Sequence, residues 1–252
     1  MNEASTELST IDPKVLATYS EDLMEDTPVD VQDITIPTLL LQQSQSGIFK
    51  DGKSKIGEIR GSLEANLVAG PGEKVEFIPF GMYKTWVVLK AKGGGFIEQI
   101  PFASANLERE GVRDGIEVRN YRQLNYYCLL PKDIESGVYM PYVLSFRSTS
   151  YWAGKALETK RALLAKFKQP LCFKTFVVST KNDTNTDDND YQVYQVAESR
   201  NTTEKERAAV KDWHDIIKTK NVTVDIGEDE PEATEEKKAK KKNSGMKKGD
   251  EF

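Results

Sequence analysis

The sequence predicts an α+β fold, mainly β, in which a strand-rich domain carries one or two packed helices. From residue 34 onward, short runs rich in Val, Ile, Tyr and Phe recur between turn residues, a pattern typical of strands. At residue 148 the composition becomes helical. Both ends of the chain are highly charged and poor in apolar residues, so we expect them to be disordered. We therefore divide the 252 residues into a flexible acidic arm at 1–33, a β-rich domain at 34–224 and a disordered charged tail at 225–252.

Six apolar runs make up the β-rich first part of the domain. The first extends from Ile34 to Gln43, and a polar loop with several lysines separates it from the others. The others read KVEFIPF, KTWVVLKA, GFIEQIPF, RQLNYYCLLP and GVYMPYVLSF. Pro79 and Pro141 lie within these runs, and proline cannot donate the backbone N–H that an interior strand needs. They therefore predict strand edges or bulges, and with them a small, curved sheet.

Residues 148–168 form the first predicted helix. Ser148 or Ser150 can cap its start, and Pro170 follows its end. Lysines and arginines are spread over much of the helix surface. At 3.6 residues per turn, one face collects five apolar residues, which we expect to be buried: Ala153, Ala156, Leu157, Leu164 and Phe167.

The last part of the domain predicts a hairpin and a second helix. The runs LCFKTFVVSTK and YQVYQVAES flank a polar, acidic segment, which is the pattern of a β-hairpin with a long tip. Thr203 is followed three residues later by Glu206, which is the signature of a capping box. We therefore expect a final helix from Thr203 to about Lys218. Its expected buried residues are Ala208, Val210, Trp213, Ile216 and Ile217.

The composition excludes several classes of protein. No run of about 18 apolar residues is present, so we expect no membrane-spanning helix, and the first 30 residues lack the apolar core of a secretory signal. The two cysteines, Cys128 and Cys172, stand alone, which argues against a zinc site and a disulfide framework. A single histidine, His214, argues against most general-base chemistry. We therefore expect a cytoplasmic protein that needs no cofactor or metal and is not an enzyme.

The net charge of −5 conceals a division along the chain. Residues 1–33 carry a net charge of −8 and residues 225–252 a net charge of −2, so the domain between them carries +5. Within that domain, residues 143–181 hold eight basic residues and one acid, Glu158. A basic segment inside an acidic protein indicates electrostatic binding of an anionic partner more than buried chemistry.

Aromatic residues alternate with these basic residues, and this mixture is what single-stranded nucleic acid requires. Cations follow the phosphates while flat rings stack on the bases, at about 1–3 kcal/mol per base. Including a second basic and aromatic set in the earlier strands, the candidates for DNA binding are Lys84, Trp86, Arg119, Arg122, Tyr126, Arg147, Tyr151, Trp152, Lys155, Lys160, Arg161, Lys166 and Lys174. The expected stacking rings are Trp86, Tyr126, Tyr151 and Trp152. The alternative, in which the rings are core and the lysines ordinary helix surface, stays open.

The last three residues of the charged tail form a second candidate site. Asp250, Glu251 and Phe252 combine two carboxylates with an aromatic ring. Such a tip suits docking to another protein, because the ring can fill a pocket while the carboxylates meet basic residues. The lysines that precede it make the tail mixed in charge, unlike an acidic docking tail.

A basic β-rich body, a long charged tail and an acidic-aromatic end together resemble a bacteriophage single-stranded DNA-binding protein. The runs IPTLLLQQSQSG and VEFIPFGMYKTWVVLK also resemble a group of phage proteins. The resemblance covers residues 34–224 and implies an elaborated OB-like barrel that protects single-stranded DNA in replication or recombination. It further implies a tail that recruits replication or recombination proteins, and action in the cytoplasm of the host cell.

Two other functions compete with this interpretation. One is a phage virion or assembly component that binds protein and not nucleic acid, with the lysines of the tail as a tether. The other is a metal-dependent nuclease that uses Asp187 and Asp188, although a loop tip that solvates its own charges explains these residues more simply. The sequence leaves open whether the chain is a monomer or a homodimer.

Overall fold

The computed structural model describes residues 34–43, 52, 54–92, 95–184, 190–219 and 223–225. The predicted arm, residues 226–252 of the predicted tail with Asp250, Glu251 and Phe252, and the acidic pair Asp187 and Asp188 lie outside the described residues. The α+β, mainly β class is confirmed. No helix within the described ranges is long and apolar enough to cross a membrane.

Strands dominate the domain, and three helices lie among the described residues. The strands are β1 (Thr35–Ile36), β2 (Thr38–Leu41), β3 (Ile59–Gly61), β4 (Leu67–Ala69), β5 (Val75–Lys90), β6 (Phe96–Pro101), β7 (Glu110–Arg113), β8 (Ile116–Leu129), β9 (Tyr142–Arg147), β10 (Lys174–Thr184), β11 (Asp190–Asn201) and β12 (Thr223–Val224). The helices are α1 (Pro131–Ser136), α2 (Tyr151–Lys166) and α3 (Glu204–Thr219). The sequence pattern does not predict the short elements β3, β4, β7 and α1, because three to six residues carry too little periodicity, and β3 lies in the segment expected to be a polar loop.

Ten of these strands form one barrel-like sheet that remains open. Its order is β11-β10-β5-β8-β9-β2-β3-β4, with β6 added beside β5 and β7 beside β8. Side chains bridge β2 to β11, which are not neighbours in the ladder: the Gln43 amide donates to the Gln192 carbonyl at 2.8 Å, and the Tyr194 hydroxyl to the Leu39 carbonyl at 3.2 Å. The expected OB-like barrel is therefore an open one. β1 and β12 pair separately, in parallel.

The long antiparallel pair of β5 and β8 is the centre of the sheet. The two apolar runs around residues 74–80 and 84–91 predict two strands, whereas β5 runs unbroken for 16 residues. Its register against β8 shifts between Pro79 and Gly81, so the proline is accommodated in a bulge and the ladder resumes beyond it. A side chain at Gly81 would press on the Tyr127 ring, which a Cβ atom would meet at 3.2 Å. Because the bulge accommodates Pro79 and Gly81 leaves room for the Tyr127 ring, one continuous strand forms where two were expected.

The sheet separates two hydrophobic cores. On the side that α2 covers, which we call the helix side, the core includes Leu124, Tyr126 and Phe146 beneath Leu157 of the helix. Because alternate residues of a strand point to opposite faces, Leu129 of β8 faces the other way. There α1 and α3 pack on it and form the second core. The opposite side of the sheet is called the cleft side below.

Helix α2 docks closely on the sheet, with a face that is only partly the predicted one. Leu157 and Leu164 are buried as predicted and Ala153 packs against the core, whereas the predicted core residues Ala156 and Phe167 are exposed and Gly154 is buried instead. A Cβ atom at Gly154 would meet the Cβ of Phe146 at 2.8 Å, which shows how near the helix lies to β9. The predicted serine cap is also wrong, because the Ser150 hydroxyl accepts from the Tyr194 backbone N–H and no side chain caps the helix.

Helix α3 confirms its sequence signature. The Thr203 hydroxyl accepts the Glu206 N–H at 3.2 Å, and the Glu206 carboxylate accepts the Thr203 N–H at 2.6 Å, which is the predicted capping box. Arg200 also binds the Glu206 carboxylate, at 2.7 Å. Ala209 and Val210 are buried and Trp213 is half-buried, whereas the predicted core residue Ala208 is exposed.

Candidate nucleic-acid interface

The structure divides the thirteen predicted DNA-binding residues between the two sides of the sheet. Trp86 and Arg122 are paired across β5 and β8 on the helix side, with Lys84 and Tyr126. Arg119 lies an even number of residues from Gln123, and Arg147 pairs with Gln123, so both belong to the cleft side. The residues of α2 therefore lie on the same side of the sheet as the first group and not on the side of Arg119 and Arg147.

Two of the expected stacking rings are inside the protein. Trp86 is 3% exposed, stacks on Phe102 at 5.2 Å between ring centroids, and donates to the Ala105 carbonyl. The Arg122 guanidinium lies 5.3 Å from its ring centroid. Tyr126 is 0% exposed, and its hydroxyl donates to the Gly154 carbonyl at 3.2 Å. Neither ring can receive a base, so the stacking role predicted for both is corrected.

Four of the predicted cations are held by two carboxylates. Lys160 and Lys174 both pair with Glu198 of β11, and their hydrogen bonds lower the pKa of that carboxyl. Lys84 and Arg161 both pair with Glu158, at 3.0 and 3.2 Å.

Burial of the Glu158 carboxyl tends to raise its pKa, but the hydrogen bonds from these two cations outweigh burial and lower it. Glu158 and Glu198 are therefore ionised at neutral pH and neutralise much of the local positive charge. The sequence of residues 143–181 does not show the pairing of Lys160 and Lys174 with Glu198, because Glu198 belongs to a distant strand that only the fold brings to α2.

The surface of α2 that faces away from the sheet has a different character, and we call it the outer face. Trp152 is 76% exposed and Phe167, just after the helix, is 75% exposed. Leu163 between them is 47% exposed. At 1.5 Å per residue the two rings lie about 22 Å apart along the helix axis. Large apolar side chains therefore line a solvent-facing helix surface over about four turns.

Lysines accompany these rings. Lys155, Lys166 and Lys168 are exposed, and none of them makes an ion pair with a residue in the described ranges. Tyr151 is half-buried against the core and meets the Trp152 ring edge-on, with 6.4 Å between ring centroids. Tyr151 therefore supports Trp152 more than it offers a ring of its own. The outer face consists of Trp152, Lys155, Ala156, Thr159, Leu163, Lys166 and Phe167, with Lys168 beyond its end.

Five residues of this surface are absent from the predicted DNA-binding residues: Ala156, Thr159, Leu163, Phe167 and Lys168. Phe167 falls on the helical face that the apolar spacing assigns to the core, so its exposure contradicts the sequence pattern. The available signal was a second apolar stripe through 152, 156, 163 and 167, at intervals of four and seven residues. The domain packs against one of the two apolar stripes of the helix, so the other faces solvent.

Comparison with known proteins identifies the family of the chain. No curated protein and no solved structure matches it significantly. A protein-family scan matches residues 4–223 to the family described as Pam3 phage gp34-like protein. The match spans most of the chain and confirms the resemblance to phage proteins, while its description says nothing of DNA. The chain belongs to the Pam3 phage gp34-like protein family.

Proposed function

We propose that this phage protein binds single-stranded DNA on the outer face of α2, without catalysis, in replication or recombination of phage DNA. The observation that carries the proposal is the pair of exposed rings, Trp152 and Phe167, beside lysines that no described carboxylate neutralises. Exposed rings accept bases of any sequence, and lysines near them attract the phosphates between those bases. A helix face that served only to contact solvent would carry polar side chains at these positions.

The expected strength of this interaction follows from its parts. Each base that stacks on a ring contributes about 1–3 kcal/mol. Three lysines that each neutralise one phosphate give a logarithmic salt slope of about −2 for a single strand. The affinity should then fall about 20-fold between 50 and 200 mM salt. Sequence preference should be small, because neither stacking nor phosphate contact reads base edges.

A charge-reversal experiment with a matched control tests the proposal. The variant Lys155→Glu/Lys166→Glu should weaken oligo-dT binding at least about tenfold and flatten the salt slope by about 1.4. The control Lys211→Glu/Lys218→Glu changes the net charge equally on exposed positions of α3 and should leave the affinity within about threefold. Equal losses in both variants, measured by fluorescence anisotropy, would show that only the overall charge matters and would reject the outer face as the site.

A role as a virion or assembly component is the second candidate function. Leu163 adds aliphatic surface between the two rings, and an apolar stripe on a helix also fits a protein partner. In that case oligo-dT would not bind, and light scattering would show assemblies of the full-length protein that Trp152→Ala dissolves.

A further inference from the structure

A cleft with a polar floor and a largely apolar lining opens on the cleft side of the sheet. Its volume is about 650 Å³, within the range of roughly 300–1,000 Å³ that small-molecule sites occupy. Its floor is formed by polar side chains of β5, β6, β8 and β9, its walls include residues of β2 and β11, and its rim is the chain that leads from β9 into α2. The proposed DNA surface does not include any of these residues.

A continuous hydrogen-bond network forms the floor. The Gln99 and Asn125 amides both donate to the Thr85 hydroxyl, at 3.0 and 3.1 Å. The Gln123 amide and the Ser145 hydroxyl both donate to the Asn125 carbonyl oxygen, at 2.7 Å each. Asn125 is fully buried, so four strands place polar groups where a sheet would normally bury apolar ones. Such a network holds the side chains at its ends, including Gln99 and Gln123, in fixed orientations.

The side chains of Gln99 and Gln123 have hydrogen-bonding groups left over for a ligand. Each carboxamide has two N–H donors and an acceptor oxygen, and Gln99 and Gln123 each donate one hydrogen bond to the network. Within the described part of the chain, nothing donates to either carboxamide oxygen, and neither oxygen is sealed from solvent. Gln123 is nevertheless only 6% exposed, so its free oxygen is reached through the cleft. Paired donor and acceptor groups of this kind match the hydrogen-bonding edge of a nucleobase.

The rim at the start of α2 suits an anion. Arg147 brings a positive charge to the cleft, and the turn of Ser148–Ser150 follows it and leads into the helix. No side chain caps the 16-residue helix α2, so the first backbone N–H groups of the helix, at the positive end of its dipole, have no side-chain acceptor, and its N-cap residue Ser150 lines the cleft. Ser148 holds φ at +49°, a left-handed conformation that costs a non-glycine residue energy and is frequent at functional sites.

We infer that this cleft binds one nucleotide. Its phosphate lies at Arg147 and the start of α2, and its base meets the carboxamides of Gln99 and Gln123 beside the Tyr83 ring. The ligand is either a free nucleotide or one unit of a bound strand, which share this chemistry. The inference stands apart from the proposed function, because the cleft and the outer face of α2 share no residue.

Calorimetric titration of the full-length protein tests the inference with four probes: dTMP, dAMP, thymidine and inorganic phosphate. At least one of the two nucleotides should bind with one site per chain, and at least tenfold more tightly than phosphate. Thr149→Glu places a negative charge at the rim on an exposed residue. It should weaken nucleotide binding at least tenfold and leave thymidine within twofold. Gln99→Leu should weaken the nucleotide and thymidine equally and leave phosphate unchanged.

Two matched variants are the controls. Thr219→Glu carries the threonine-to-glutamate substitution on an exposed position of α3, and Gln195→Leu carries the glutamine-to-leucine substitution on an exposed position of β11. Neither should change nucleotide affinity, and circular dichroism should show all four variants folded. Nucleotides that bind no more tightly than phosphate, or affinities that neither cleft variant changes, would overturn the inference whatever the outcome for oligo-dT. If Gln99→Leu also weakens oligo-dT, the cleft takes a unit of the strand; if it does not, the cleft takes a free nucleotide.

Discussion

The helices α2 and α3 are equally long, 16 residues each, but they expose different kinds of side chain to solvent. The exposed positions of α3 are mostly charged, and its tryptophan, Trp213, packs against the second core. On α2 the exposed positions include Trp152, and Phe167 adjoins its end. Burying such a side chain contributes about 1.5–3 kcal/mol, so α2 leaves a stabilising contribution unused. This difference supports our proposal that the outer face of α2 is a binding surface, whereas α3 contributes to the stability of the fold.

The two helices also differ in how they are held. α3 begins in a capping box, and Arg200 binds the same Glu206 carboxylate. α2 has no side-chain cap and depends on close backbone approach at Gly154. Local hydrogen bonds therefore fix α3, and tertiary packing fixes α2. Substitutions at Gly154 and Thr203 distinguish stabilisation by tertiary packing from stabilisation by local hydrogen bonds.

The largest expected effect is on DNA affinity. Trp152→Ala/Phe167→Ala should weaken oligo-dT binding by about 5- to 150-fold for each base that loses its ring, with the free energy of unfolding changed by less than about 0.5 kcal/mol. Trp213→Ala on α3 should do the reverse, lowering the melting temperature and sparing affinity. Anisotropy and thermal unfolding measure the two quantities. Loss of stability in the α2 variant would mean that its rings belong to the fold.

The next effect is on the docking of α2. Gly154→Val should destabilise the protein by about 1–3 kcal/mol, because the new side chain must displace Phe146 or lift the helix. Ala156→Val introduces the same side chain on the exposed side of the helix and should cost only about 0.5 kcal/mol. Urea unfolding compares them. Equal costs would show that the close approach at Gly154 is unimportant.

A smaller effect is expected at the start of α3. Thr203→Ala removes the capping hydroxyl and should cost about 1 kcal/mol. Thr159→Ala within α2 removes only a bond to the Lys155 carbonyl in the same helix, and should be neutral or slightly stabilising. If both variants unfold at the same urea concentration as the parent protein, the capping box contributes nothing to stability.

The smallest effect is a dependence on pH. The hydrogen bond from Arg200 outweighs burial and lowers the pKa of the Glu206 carboxyl in the folded protein. Its stabilisation is therefore complete above the unfolded pKa, about 4.3, and is lost as pH falls through the lower folded value. Glu206→Gln should flatten the fall in melting temperature below about pH 5. An unchanged pH profile in this variant would exclude Glu206 as a source of the acid sensitivity.

Local signals in the sequence predicted local structure well. The capping box of Thr203 and Glu206 requires only two residues at a fixed spacing, and both contacts are present. The bulge at Pro79 followed from the missing N–H of proline. What the sequence could not show is that the ladder resumes beyond the bulge, because that depends on β8, almost 50 residues away.

The candidate site was only partly predictable, for the same reason. The basic and aromatic character of α2 is visible in the sequence, and so is Trp152. Which face of the helix is buried depends on Gly154 and Phe146, and which lysines are neutralised depends on Glu198. These partners come from other strands, so spacing within the helix carries no information about them.

Tryptophan fluorescence during titration with oligo-dT tests the central claim most directly, at about 50 and 200 mM salt and with duplex DNA as the control. Trp86 is buried and Trp213 is half-buried against the second core, so Trp152, which is 76% exposed, should report most of the contact at the outer face. We predict quenching that favours the single strand, an affinity about 20-fold weaker at the higher salt, and loss of the signal in Trp152→Phe. An absence of quenching together with no salt-sensitive complex would contradict DNA binding on the outer face of α2.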